Sequence, residues 1–361
     1  MNPTDEVFHD IATDGVAAHK LDQDGPVDIS VVLPFCNEGD NLPELLDRLK
    51  HTLQTGGLSY ELILVDDGST DGGVAFLEEQ ARSDERIKVL VLSRNFGQHV
   101  AATAGIDAAG GSMVVWMDAD LQERPEDIPR LVAKLREGFD VVYTRRTCRQ
   151  ATRWRAALSY AFLAILNRMV GLGVSPDRGC MRVFSAKMAA SLRDLREHNR
   201  FLVYLMPWAG FRSAELEIET DPRRQGRTKY SWVGLVKLAL AGVTSFSAAP
   251  LRISALCACA TILACAVGVA WVLYRYFAHG IGISGWASLM IAILVLHSVQ
   301  FGVIAILGEY LGLTYAETKR RPLYFCSRMI NLTQRAAMPH RIPASGHSTA
   351  GNSPPAGSRC A

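Results

Sequence analysis

The sequence predicts an α/β fold: a mostly parallel sheet followed by a two-helix membrane hairpin. Short apolar strands alternate with helical periodicities from about residue 28 to about residue 147. Carboxylate-bearing or amide-bearing residues follow several of those strands directly. Beyond residue 250 come two long apolar runs, each able to cross a bilayer.

Residues 1–27 are polar, acidic and aperiodic, and read as a disordered tail. Residues 29–33 form a buried strand that Pro34 and Asn37 break, and Asn41 stands as N-cap of a helix reaching about Thr55. Strands are expected at 61–65, 87–92, 113–117 and 141–144, with helices at 71–83, 100–109 and 125–137. Ligands of such sheets bind beyond the carboxyl ends of the strands. Residues 34–38, 66–69 and 118–122 all sit there.

Downstream, residues 153–170 and 230–247 show apolar residues at helical spacing flanked by basic ones, as interfacial membrane helices and amphipathic core helices both do. Residues 253–274 carry no charge and, at 1.5 Å per residue, span roughly 33 Å. Residues 287–307 are a second such run. Arg275 alone is basic between them, whereas Arg252, Lys319, Arg320, Arg321 and Arg328 flank the pair. That asymmetry places both ends, and the α/β domain, in the cytoplasm. The domain division is then 28–229 for the α/β domain, 230–252 for a juxtamembrane segment, 253–311 for the hairpin, and 312–361 for a basic segment and disordered tail.

A length of 361 residues holds one large domain or two modest ones, and a net charge of +2 gives no reason to expect a nucleic-acid partner. The hydrophobic content of 49% is concentrated after about residue 230. Eight scattered cysteines do not form a disulfide framework, and a reducing compartment fits them. No basic segment followed by an apolar stretch opens the chain, so no signal peptide is expected.

The chemistry centres on Asp118-Ala119-Asp120 at the end of the apolar run 113–117. In an extended strand end Asp118, Asp120 and Gln122 would point to one side. Three oxygen ligands there suit Mg²⁺ or Mn²⁺ with room left for a diphosphate. A solvated acidic loop is the bland alternative. Asp66 and Asp67, before Gly68, can accept hydrogen bonds from a nucleobase and ribose, and Asn37 and Glu38 lie where they can contact the nucleoside. A cation–diphosphate site joined to a membrane hairpin points to a nucleotide-linked donor and a lipid acceptor.

The segments 31–38 (VVLPFCNE), 65–72 (VDDGSTDG), 92–97 (LSRNFG) and 117–122 (MDADLQ) resemble glycosyltransferase family 2. Within it the chain is most similar to polyprenyl-phosphate glycosyltransferases related to dolichol-phosphate mannose synthase. The resemblance continues through Asn199-Arg-Phe-Leu, Gly226-Arg-Thr-Lys-Tyr, the segment 244–252, Leu307-Gly-Glu-Tyr and the segment 319–324, covering about residues 28 to 328. It implies a GT-A type fold, a UDP- or GDP-linked sugar donor, and a polyprenyl (undecaprenyl) phosphate acceptor. It also implies a bacterial inner membrane location with the catalytic domain cytoplasmic. Carried over by motif, Asp118, Asp120 and Gln122 hold the metal, and Asp67 reads the base. Pro34, Asn37, Glu38 and Asp66 line the nucleotide. Arg145, Arg155 with Ser159, and Arg223 (or Arg224) with Lys229 stand near the phosphates. Asp177 either orients the acceptor or pairs with Arg182, a further motif position, and Met181 replaces a usual aromatic residue. Similar proteins assemble as tetramers, so a homo-oligomer is open.

Gln150-Ala-Thr-Arg-Trp154 also fits the Q-x-x-R-W pattern of processive polysaccharide synthases. It follows Asp120 by only thirty residues, and the chain has fewer apolar spans than such synthases. That enzyme class and a membrane-tethered nucleotide-binding scaffold are the alternatives.

Overall fold

The computed structural model describes residues 27–146, 167, 175, 177–219, 248–279 and 285–332. The expected tails, the segment around 153–170 with Arg155 and Ser159, and the segment 220–247 with Arg223 and Lys229 lie outside the described residues. One eight-stranded sheet organises the rest. Its strands are β1 (Ile29–Phe35), β2 (Tyr60–Asp66), β3 (Ile87–Leu92), β4 (Met113–Trp116), β5 (Val141–Arg146), β6 (Arg178–Ser185), β7 (Ser213–Ile218) and β8 (Cys326–Ile330). They lie in the order β7-β5-β6-β4-β1-β2-β3-β8. The β1–β2, β1–β4, β2–β3 and β5–β7 pairings are parallel; β6 and β8 run antiparallel to their neighbours. The predicted mostly parallel α/β sheet is present.

Helices cover both faces, because each central strand is apolar on both sides. Ile29, Val31 and Leu33 pack with Leu45 and Leu49 of α1 (Leu42–Thr55), Leu77 of α2 (Gly73–Ser83) and Leu131 of α3 (Ile128–Arg136). A single 3₁₀ turn, Pro125–Asp127, leads into α3. On the other face Val32, Ile63 and Trp116 meet Ala101 and Ala104 of α4 (Gln98–Ala108), Met188 of α5 (Ala186–Asp194) and Leu205 of α6 (Leu202–Trp208). Complete burial of one such side chain stabilises by about 1.5–3 kcal/mol.

Two local expectations change. Pro34 does not break β1; it lies buried within it, opposite Val65. Pairing with β4 stops at Val32, so the N–H that Pro34 lacks would have faced no strand. Asn41 occupies the N-cap position of α1 but does not cap it, and its Nδ2 donates to Glu38 Oε2 at 2.8 Å.

The hairpin consists of α7 (Ala249–His279, 31 residues) and α8 (Trp286–Thr318, 33 residues), which pack against each other. Both meet the length and composition of membrane-crossing helices. Beyond α8 the chain returns to the sheet, where β8 pairs antiparallel with β3. Ser93 N–H donates to Phe325 O at 2.8 Å, and Asn331 Nδ2 donates to Ala81 O at 2.7 Å. The sheet therefore holds the segment that follows the hairpin.

Candidate active site

The carboxyl ends of β1, β2 and β4 and the start of α4 converge. Loops after β1 and β2 are laced together by side chains that the sequence offers as ligand contacts. Asn37, at a left-handed φ of 57°, donates its N–H to Ser69 Oγ at 2.9 Å, and its Oδ1 accepts from Thr70 N–H at 2.8 Å. Asp66 Oδ1 accepts from Ser69 N–H at 2.8 Å. Asp67 Oδ1 takes the Phe96 N–H at 2.7 Å and Oδ2 takes the Gly97 N–H at 2.9 Å. Burial raises the Asp67 carboxyl above its ordinary value, and those two amides oppose the shift. Gly68 has φ +76°, and a Cβ there would lie 2.8 Å from Asn95 N, so this crossing requires glycine.

After β4 the chain bends rather than continuing as a strand. Met117 N–H donates to Val32 O at 3.2 Å, and Leu121 adopts φ 58°. The extended geometry expected through Gln122 is therefore not what brings Asp118, Asp120 and Gln122 together; a turn does. Asp120 Oδ1 accepts from Gln122 N–H at 3.2 Å, fixing that turn. Gln98, the first residue of α4, donates Nε2–H to Asp118 Oδ1 at 2.5 Å. Burial, then the Asp120 carboxylate, raises the Asp118 carboxyl. A carboxylate pressed by burial and by an adjoining carboxylate is what a divalent cation relieves, so the residues fit one. Among the described residues no group of three or more His, Cys, Asp or Glu side chains gathers as a metal cluster. The candidate set is two carboxylates and an amide.

The arginines divide by depth. Arg145, at the end of β5, is exposed, with Nη1 3.6 Å from Glu217 Oε1. Arg182 is 2% exposed. It stands cross-strand from both Trp116 and Tyr143, with its guanidinium 4.2 Å from the Trp116 ring centroid. Its Nε donates to Cys180 O at 3.0 Å, and among the described residues it forms no ion pair with Asp177. Arg178 stacks 3.9 Å over Tyr143 and pairs with Glu215 at 2.8 Å. Asp177 O accepts from Arg146 N–H at 2.8 Å, placing Asp177 beside the end of β5.

Sequence reasoning missed the Glu123 carboxylate, 4% exposed directly after Gln122. It accepts from Cys180 N–H at 2.7 Å and from Met181 N–H, and Arg146 Nη2 lies 3.8 Å away. Burial pushes its carboxyl up to about 7. Its position after Gln122 carries no spacing signal, and only the fold buries it. Gln98 and His99 were also missed. The His99 ring meets Trp116 and Phe201 edge-on, at 5.9 and 5.6 Å.

Residues 30–193 match the model of glycosyl transferase family 2. An uncharacterized glycosyltransferase of Synechocystis sp. is 38% identical over 85% of this chain and 96% of its own length. The undecaprenyl-phosphate 4-deoxy-4-formamido-L-arabinose transferase of Proteus mirabilis is 36% identical over 84% of this chain and 94% of its own. Among solved structures, glucosyl-3-phosphoglycerate synthase from Mycobacterium tuberculosis, in complex with Mn²⁺, UDP and phosphoglyceric acid, has a TM-score of 0.44 at 21% identity. That match covers 60% of this chain and 76% of the other, and carries no weight for the site. The sequence relationships settle the matter: the chain belongs to glycosyltransferase family 2, as a relative of polyprenyl-phosphate sugar transferases.

Proposed function

We propose that the protein is a membrane-bound inverting glycosyltransferase that moves a sugar from a nucleotide-diphosphate sugar to polyprenyl phosphate, on the cytoplasmic side of a bacterial inner membrane. The single observation that carries this reading is the pairing of β8 with β3. It ties the membrane hairpin to the same sheet that presents Asp118 and Asp120. A lipid phosphate and a soluble nucleotide can thereby reach one site. The Proteus mirabilis relative, an undecaprenyl-phosphate 4-deoxy-4-formamido-L-arabinose transferase, supports the acceptor class.

In this reading Asp118, Asp120 and Gln122 would hold Mg²⁺ or Mn²⁺, which when bound neutralises the departing nucleoside diphosphate. Asn37, Glu38, Asp66 and Asp67 shape the nucleoside end through the laced loops after β1 and β2, with Pro34 fixing the close of β1. Arg145, together with Arg155, Ser159, Arg223 and Lys229, receives the acceptor phosphate, whose oxygens suit the guanidinium fork. Arg182 acts from below, supporting Trp116 and β6. Asp177 orients the acceptor from the β5 end. The acceptor oxygen is already ionised near neutral pH, so attack on the sugar C1 needs positioning more than a general base. In-line displacement inverts the anomeric centre.

The test is a panel of UDP- and GDP-linked sugars against undecaprenyl phosphate in detergent with Mg²⁺ or Mn²⁺. A chloroform-soluble, mild-acid-labile labelled product is expected from one donor. Polymer retained at the chromatographic origin, or no lipid product from any donor, would refute the proposal.

A further inference from the structure

We infer that Glu123 is a positioning residue that holds the Asp118–Gln122 turn in register with the strand carrying Arg178 and Cys180. The inference rests on the proposed reading of Asp118, Asp120 and Gln122 as a cation site. β4 ends opposite Arg182, and the β5–β6 ladder slips between Tyr143 and Arg145. The Glu123 carboxylate fills this irregular start of β6 by taking the N–H groups of Cys180 and Met181, one on each oxygen. Thr144 completes the joint from β5, donating Oγ1–H to Met181 O at 2.7 Å.

The joint closes a circuit. On one side Glu123 is bonded through the backbone to Gln122. On the other it fixes Cys180, which lies close to the Asp118 carboxylate. Both outer members of the candidate cation set thus adjoin residues that one buried carboxylate holds: Gln122 is its neighbour in the chain, and Asp118 lies beside Cys180. Gly179 gives an independent sign that this approach is required: a Cβ there would collide with Glu123 Oε1 and Thr144 Oγ1. Glu126, in the same segment, is half-exposed and bonded to Arg48 at 2.7 and 2.8 Å, away from this joint.

Mn²⁺ binding to the purified full-length chain, read by electron paramagnetic resonance with UDP and in parallel with GDP, tests the role without turnover. Glu123→Gln and Gly179→Ala are expected to weaken Mn²⁺ binding by about tenfold or more, the usual effect of losing support behind metal ligands. Glu126→Gln should leave it unchanged. Wild-type Mn²⁺ affinity in folded Glu123→Gln and Gly179→Ala protein overturns the inference. Hydrogen exchange on the unaltered protein covers the case where neither variant folds. Mn²⁺ with the nucleotide should slow exchange at the Cys180 and Met181 amides together with residues 118–122. Protection confined to 118–122 also overturns it. A wild-type chain that binds Mn²⁺ and nucleotide yet glycosylates no polyprenyl phosphate refutes the proposed function and leaves this role for Glu123 standing. Wild-type protein that binds no Mn²⁺ overturns both.

Discussion

Tyr324 Oη donates a hydrogen bond of 2.9 Å to Asp107 Oδ2, joining the segment after the membrane hairpin to the last turn of α4. Arg196 grips the same carboxylate with both terminal nitrogens, at 2.8 and 2.9 Å. Nearby, Glu317 near the end of α8 accepts the His198 N–H at 2.7 Å. The foot of the hairpin is thus built into the catalytic domain by polar contacts as well as by β8.

Tyr324→Phe removes one partner and leaves the Arg196–Asp107 fork, so it should cost about 1 kcal/mol. Asp107→Ala strands a guanidinium and should cost about 3 kcal/mol or more. Thermal unfolding in detergent orders the two. Equal effects would show that the tyrosine, and not the fork, holds the joint.

Asp120→Ala should abolish sugar transfer while the protein stays folded and in the membrane, because one carboxylate of the candidate cation set is gone. Chelation of divalent cations should have the same effect on the unaltered protein, reversed by adding Mn²⁺. Full activity in Asp120→Ala would end the assignment.

In the proposed reading Glu217 would compete with an acceptor phosphate for Arg145. The pair is exposed and 3.6 Å apart, so breaking it should change stability by less than about 0.5 kcal/mol. Glu217→Gln should lower the KM for polyprenyl phosphate by about two- to fivefold, the equivalent of an exposed pair. Arg145→Ala should raise that KM. An unchanged KM in both variants would remove Arg145 from the acceptor site.

His99 gives a pH signature. Burial, with Arg182 and then Arg200 adding repulsion, lowers its pKa from 6.5 to about 4. Between those values the unfolded chain binds the extra proton, so stability rises with pH across this window. The contribution is complete above about pH 6.5 and is lost as pH falls toward 4, about 3 kcal/mol in all. His99→Phe keeps the edge-on aromatic packing and should flatten this dependence. Unfolding midpoints for the two proteins between pH 4 and 7 measure it, and parallel curves would contradict the assignment.

Much of the fold was legible because β1 to β5 are short apolar runs bounded by polar turns, and β1, β2 and β3 pair in chain order across one helix each. β6, β7 and β8 were not. Arg178-Gly-Cys-Met-Arg182 begins too polar to read as a strand, and its place between β4 and β5 depends on Arg182 lying between Trp116 and Tyr143. β8 has five residues and finds its partner only after the whole hairpin has intervened. At the site, Asp118 and Asp120 were legible because two carboxylates after a buried strand are an unusual local pattern. Glu123 was not, because a glutamate in a loop looks solvated until β6 arrives to bury it. Asp67 gained a second character as well, since both its oxygens brace the loop before α4.

The sequence by itself determined the α/β class, the pair of carboxylates after β4 and the two membrane-length helices. These follow from hydrophobic periodicity and local charge, which act within a few turns of chain. Only the tertiary structure decided which buried groups support the turn and how the hairpin is tied back to the sheet. Those features depend on desolvation and on strand pairing between distant segments, and both exist only once the chain has folded.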